Sequence, residues 1–224
     1  MPPEAGLWVQ VLHADAQVVV LIKPSGLLSA PGRGPDKQDC AARQIQAIFP
    51  DAQVVHRLDM ATSGLMLMAR GTEMQRRLSV AFAQRHIHKR YEAVVAGHPM
   101  PNNCDEDGWS TVDWPIAADW PNRPRRIIDW VHGKPSLTRW RVLARERTVQ
   151  GQEKTRLALE PITGRSHQLR VHLMALGHPI LGDALYAEPA LASAAPRLLL
   201  HACALEVPAM GECSGGCWHS PAPF

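Results

Sequence analysis

The sequence predicts an α+β fold with a mainly antiparallel sheet, and three observations carry that expectation. Runs of strand composition outnumber helical runs, the helical runs do not alternate strictly with strands, and no long linker divides the chain. Residues 9–13 and 18–22 read as two strands around the turn residues Ala14-Asp15-Ala16. Lys23-Pro24-Ser25-Gly26 and Ala30-Pro31-Gly32-Arg33-Gly34 mark turns or an irregular loop. Residues 39–49 place Ala41, Ile45 and Ile48 at helical spacing, and Pro50 closes that helix. Residues 65–69 form an apolar strand. Thr72, with Gln75 three positions on, has the pattern of a capping box opening a helix whose buried stripe is Met74, Leu78, Ala81 and Phe82.

Beyond it, 91–96 is again strand-like and 99–110 is an acidic, turn-rich loop. Segments 126–131, 136–144 and 155–160 have strand composition with turns between them. Ser166 is placed to cap a helix over 167–176, ended by Gly177 and Pro179, and 198–205 is a last apolar strand.

Composition narrows the class. The chain has 224 residues, 46% hydrophobic and 20% charged, which suits an ordered globular protein. Its longest aliphatic run, 18–22, falls far short of the roughly 20 residues a membrane helix needs. The opening Met-Pro-Pro-Glu-Ala-Gly has neither the basic nor the apolar region of a secretory signal. Five cysteines, an odd number, fit reduced thiols, so the expected location is the cytoplasm. Net charge is only +3, but the 24 basic residues divide into 19 Arg and 5 Lys. Arginine grips phosphate bidentately, so this excess suits nucleic-acid binding; a GC-rich genome would produce it equally well.

Two clusters concentrate reactive side chains. In His56-Arg57-Leu58-Asp59-Met60-Ala61-Thr62-Ser63-Gly64-Leu65 a carboxylate sits on a loop between two apolar runs, where catalytic groups are commonly carried. The same residues also suit a local turn built by Asp59 and Thr62 before Gly64. In Pro161-Ile162-Thr163-Gly164-Arg165-Ser166-His167-Gln168-Leu169-Arg170-Val171-His172 a glycine-containing loop enters a helix rich in Arg and His, an arrangement suited to anions or simply to a solvated helix face. Other signals fail. Gly133-Lys134-Pro135-Ser136 lacks the leading glycine of a phosphate loop, and His167 and His172 lack the glutamate of a zinc protease helix. Cys213, Cys217 and His219 match no standard zinc spacing and flank Gly215-Gly216, which reads as a flexible tail.

These clusters, with Lys23-Pro24-Ser25-Gly26-Leu27, Lys89-Arg90-Tyr91, Gly177-His178-Pro179-Ile180-Leu181-Gly182-Asp183 and Arg197-Leu198-Leu199-Leu200-His201-Ala202, resemble the motifs of the RluA family of RNA pseudouridine synthases, in order from residue 9 to about 207. The resemblance implies a single catalytic domain over residues 7–224 behind a short tail, 1–6, with a mainly antiparallel mixed sheet, flanking helices and no preceding S4 RNA-binding domain. It implies isomerisation of uridine in structured RNA, with no cofactor and no metal. Asp59 would be the nucleophile, Arg170 its ion-pair partner, and Tyr91 the ring that stacks on the target base and sits where C5 loses its proton. Arg57 would fill the space left by a flipped base, and Arg123, Arg125, Arg126, Arg165 and His167 would bind RNA.

The segment Asp119-Trp120-Pro121-Asn122-Arg123-Pro124 is similar to family members acting on both a 23S rRNA hairpin and a tRNA anticodon stem-loop. A monomer free of membranes is expected. Trp114, Trp120 and Trp130 can stack on bases or pack the sheet, and packing is the expectation for any one of them. Residues 211–218 depart from the family's strand-like ending, which puts the last strand pairing in doubt. Two rival readings are an inactive RNA-binding or ribosome-assembly protein and a one-carboxylate glycosidase. The first is disfavoured by the presence of Asp59, Tyr91 and Arg170, the second by the lack of a partner carboxylate in the Asp59 motif.

Overall fold

Asp15 makes the first turn: its Oδ1 accepts from the backbone N–H groups of Gln17 and Val18 at 2.7 and 2.8 Å, and the carboxyl is held below its ordinary value by these bonds and by His13, against the opposing effect of burial. The turn joins β1 (Gln10–Ala14) to β2 (Val18–Lys23). In the computed structural model, residues 8–102, 104–147, 151–211 and 213–224 are described, so the expected tail, 1–6, lies outside the described residues. The chain forms two compact units, one from the residues up to 88 with 201–223, the other from 89–200 with Phe224.

In the first unit, α1 (Ala41–Ile48), β3 (Ala52–Val54), β4 (Ser63–Arg70) and α2 (Gly71–Ala83) follow β2. In the second come β5 (His88–Ala96), β6 (Ser110–Asp113), β7 (Ile116–Ala118), β8 (Arg126–Ile128), β9 (Leu137–Arg147), β10 (Glu153–Pro161), α3 (Gln168–Ala175) and the short α4 (Pro189–Ala192). The chain then returns to the first unit with β11 (Leu200–Val207) and β12 (Gly216–His219).

The strands of the first unit run in the order β1-β2-β4-β11, with β3 also on β4 and β12 on β11. Its pairings are antiparallel except β4 with β11, which are parallel at Ser63–His201 and Gly64–Ala202. β4 is buried from Ser63 to Ala69. Its Leu65, Leu67 and Ala69 join Val18 and Val20, the α2 residues Met74, Leu78 and Ala81, and Leu205 and Val207 in one apolar core. The α2 stripe is thus as its spacing predicts, with Phe82 partly buried against the same core. The capping box is not: α2 begins at Gly71 without a side-chain cap, and the Thr72 hydroxyl instead accepts from Gln53 Nε2 at 3.2 Å.

The second unit orders its strands β5-β10-β9-β6, all antiparallel, beside a small β7-β8 hairpin. The mainly antiparallel α+β expectation therefore holds in both units. Four strands, β3, β6, β7 and β12, lie outside the sequence expectation: each has only three or four residues, too few for alternation to register. The 211–218 expectation is corrected. Instead of a flexible tail, Gly216–His219 pairs along β11, with Leu205 opposite Trp218 and Glu206 opposite Cys217. Gly215 serves the entry turn with φ +70°, and Gly216 already pairs with Val207. Among the described residues no helix is long and apolar enough to cross a membrane.

Candidate active site

Asp59 lies in the loop 55–62 between β3 and β4, and the backbone of that loop is held by donors from the segment 23–29. Unpaired carbonyls in such a place cost free energy. Lys23, fully buried, donates its ammonium hydrogens to the carbonyls of Pro24, Leu27 and Met60 at 2.8, 2.7 and 3.0 Å. Ser25 Oγ donates to Ala61 O at 2.7 Å, and the Gly26 N–H donates to Met60 O at 2.8 Å. Ser29 Oγ donates to Leu58 O at 2.8 Å and accepts from the Leu58 N–H at 3.0 Å. The Thr62 N–H donates to Asp59 O at 3.1 Å, so the local turn is also present. Every carbonyl from Leu58 to Ala61 thereby has a donor, and the half-buried Asp59 is carried on a fixed backbone with the exposed Arg57 two residues before it.

Both ends of the loop are pinned. His56 Nε2 accepts from the Leu67 N–H at 2.9 Å, which leaves the ring proton of a neutral His56 on Nδ1, and the ring packs 4.6 Å from Phe82. Ser63 Oγ bonds His201 Nδ1 at 2.8 Å, and His201 Nε2 reaches Ser220 O and Oγ at 3.1 Å. Gly64 has φ +114°, and a Cβ there would collide with the Ala202 backbone of β11. The glycine is required by this close approach as well as by its conformation.

In the second unit Tyr91 is a buried residue of β5, opposite Leu159 of β10. Arg170 is buried on α3 and forms a two-pronged pair with the fully buried Asp183, Nε to Oδ2 at 2.8 Å and Nη2 to Oδ1 at 2.6 Å. Asp183 Oδ1 also accepts from the N–H groups of Leu185 and Tyr186 at 2.9 and 3.2 Å, so the arginine is anchored to a carboxylate that is itself fixed. Helix α3 opens one residue later than expected. His167 stands at its N-cap with φ +59°, and Ser166 makes no cap bond. The loop before it is closed instead by Gln168, whose Oε1 accepts from the Thr163 hydroxyl at 2.6 Å and the Arg165 N–H at 3.1 Å.

Tyr186 gathers several of the expected RNA contacts. Its hydroxyl accepts from the Arg126 N–H at 2.8 Å and meets His167 Nδ1 at 2.7 Å, while the guanidiniums of Arg125 and Arg170 lie 5.6 and 5.0 Å from its ring. Arg165 is exposed, with Nε donating to Pro135 O at 3.3 Å. Arg123 stands apart from Tyr186, stacked 3.4 Å from the ring centre of Trp120. Burial holds the Lys89 ammonium below its ordinary value, and the Lys89 Nζ lies near Gly164. Of the three tryptophans, Trp114 is half-buried with its ring 6.4 Å from that of Trp130, whereas Trp120 and Trp130 are each 69% exposed.

A profile of the RNA pseudouridylate synthase family matches residues 17–175, a span containing the Asp59 loop, Tyr91 and α3. The chain belongs to that family. It is 46% identical over 213 residues to the dual-specificity RNA pseudouridine synthase RluA of Escherichia coli, covering 94% of this chain and 92% of the relative. To the protein of the same name in Vibrio vulnificus it is 43% identical over 203 residues, covering 91% and 79%. Among solved structures it resembles human RNA pseudouridylate synthase domain containing 1, with a TM-score of 0.78 and 27% identity over all of this chain and 87% of that one. Human RNA pseudouridylate synthase domain containing 4 follows at TM-score 0.70 and 25% identity, covering 95% and 88%. The chain is an RNA pseudouridine synthase, an isomerase.

Four residues that support this synthase's site had no role in the sequence reading. Lys23 and Asp183 stand in motifs already picked out, so their positions were visible and only their partners were hidden. Tyr186 was visible as one of two tyrosines in the chain. Ser29 carried no signal, because its partner Leu58 is 29 residues away.

Proposed function

We propose that this synthase isomerises uridine with Asp59 as the nucleophile, after the target nucleotide has been flipped from its stack. Asp59 adds to the target nucleotide as the N1–C1′ bond breaks, the base turns, C5 bonds to C1′ and Asp59 is released, and the C5 proton lost is matched by one gained at N1, so the reaction needs no redox partner. A carboxylate on a fixed backbone suits attack at one carbon, because little reorganisation remains to be done in the transition state. The observation that carries the proposal is the anchoring of loop 55–62, which secures each carbonyl around Asp59 while its side chain is only half buried. Arg170, steadied by Asp183, takes the part of the site's cation, and Tyr91 that of the stacking ring whose hydroxyl serves the C5 proton. Arg57, exposed, takes the place of the extruded base. Arg123, Arg125, Arg126, Arg165 and His167 bind the surrounding RNA.

The dual specificity named for the relatives supports two RNA substrates, which we assign to a 23S rRNA hairpin and a tRNA anticodon stem-loop. Both substrates place the enzyme in the cytoplasm, where a monomer suffices. The test is tritium release from RNA labelled at uridine C5. Asp59→Asn keeps the side chain's shape but removes its charge and nucleophilicity, and its rate should fall by at least about 10³-fold with RNA affinity retained. Turnover within a few-fold of wild type would defeat the assignment.

A further inference from the structure

The β7-β8 hairpin and its flanking turns present two large apolar groups to water on rigid supports. Trp120, 69% exposed, stands in the loop 119–125. That loop is closed by Asp119 accepting from Asn122 N–H and Nδ2, by the Asp119 N–H donating to Arg125 O at 3.1 Å, and by the Arg125 N–H donating to Asn122 O at 3.0 Å. At the other end Trp130 and Val131 are 69% and 81% exposed. They ride on a turn in which Asp129 Oδ1 accepts from the N–H groups of Val131 and His132, both at 2.9 Å. A Cβ on Gly133 would collide with Asp129 O, so that turn has no looser alternative at the same position. Exposed apolar residues that a fold holds out rigidly, instead of letting them collapse onto the surface, mark a binding face.

The charge on the hairpin says what binds. Arg123 and Arg125 are exposed beside Trp120, and Lys134 follows Gly133. The carboxylates of the segment 116–134, Asp119 and Asp129, are both engaged with local donors as described. An apolar protein partner would meet two exposed guanidiniums here, whereas RNA complements both features. The centre of the Arg123 guanidinium sits over Trp120, 3.4 Å from the ring centre. A guanidinium held over an indole keeps its charge and its forked donors beside the ring, where the phosphate of a stacked nucleotide can be met.

We infer that Trp120 with Arg123 is a stacking platform for one unpaired nucleotide outside the target position, so that this synthase distinguishes looped RNA from paired RNA at the hairpin. A base offers Trp120 its flat face only when it is not already stacked in a duplex. The inference rests on RNA being the substrate, as proposed above, but does not depend on which residue performs the chemistry.

Filter binding of the full chain to an unmodified tRNA anticodon stem-loop, and to a fully paired duplex of the same stem, separates the two questions. Trp120→Ala should weaken stem-loop binding about tenfold and change duplex binding by less than about twofold, and Trp120→Phe should recover most of the loss because a flat ring remains. Unchanged duplex binding also certifies that the variant is folded. Unchanged stem-loop binding, an equal loss on both RNAs, or a Trp120→Phe variant as weak as Trp120→Ala would each overturn the platform. Tritium release by the wild-type chain is read separately: its absence would sink the isomerase assignment, while the binding result would still decide the role of Trp120.

Discussion

The loop that carries Asp59 and the loop that carries Trp120 are both rigid, but they are made rigid in opposite ways. Around Asp59 the restraints arrive from far along the chain: Ser29 is 29 residues from Leu58, Ser25 36 residues from Ala61, and Lys23 37 residues from Met60. Around Trp120 they are local, from Asp119 to Asn122 and Arg125. The difference follows from what each loop must hold. A nucleophile has to keep its place relative to the body of the protein, which only bonds to that body can enforce. A stacking residue needs only to stand clear of its own turn, and a self-contained Asx-type loop does that.

The largest way to break this comparison is at Asp183, the fixed point behind Arg170. Asp183→Ala removes the two-pronged carboxylate from the buried Arg170, and the fold should lose about 3–5 kcal/mol in chemical denaturation. A loss below about 1 kcal/mol would mean that the Arg170 charge finds compensation elsewhere. A smaller and more selective break is Ser29→Ala. It removes the donor to Leu58 O and the acceptor for Leu58 N–H, and should cost about 1–3 kcal/mol of stability. Because the lost bonds hold the catalytic loop, the maximal rate should fall further than RNA affinity does. A pure affinity defect would contradict the division of labour drawn above.

The smallest effect sharpens the comparison on the hairpin side. His172 is fully buried, with Nδ1 on the Thr138 hydroxyl and Nε2 on Trp114 O, both at 2.9 Å, so it ties the strand leading into the hairpin to α3. Burial holds its pKa below the ordinary 6.5, outweighing the Trp114 bond that acts the other way. Above pH 6.5 the ring is neutral in both folded and unfolded chains and its contribution is fully present. As pH falls below 6.5 the unfolded chain takes up the proton first, and stability is lost until the folded pKa is reached, at no more than about 1.4 kcal/mol per pH unit. Denaturant midpoints from pH 7 to 5 should fall less in His172→Gln than in wild type; parallel curves would exclude His172 as a source.

What the sequence made legible divides along the same line. Periodicity located β1, β2, β4, α1 and α2, because each carries its own apolar pattern over five or more residues. It exposed Asp59 and Arg170 as members of dense polar clusters. It did not show that Lys23 is an internal clamp, since a lysine next to a proline and a glycine reads as a surface turn until its three carbonyl partners are known. Ser166 and Thr72 had the residue types of helix caps, and neither caps: Gln168 closes the loop into α3, and Thr72 is engaged by Gln53. A local motif states what a residue is able to bond, and the long-range packing decides which bond it makes.

The parallel contact of Gly64 with Ala202 also bears on how the enzyme is made. Synthesis is vectorial, so the strand that leaves the Asp59 loop is complete long before the strand that lies beside it has been translated. Until β11 emerges, the β4 edge at Ser63 and Gly64 has no neighbour from this part of the chain, and His201 is not there to take the Ser63 hydroxyl. The backbone that seats Asp59 therefore gains its support on this side only once β11 has been made.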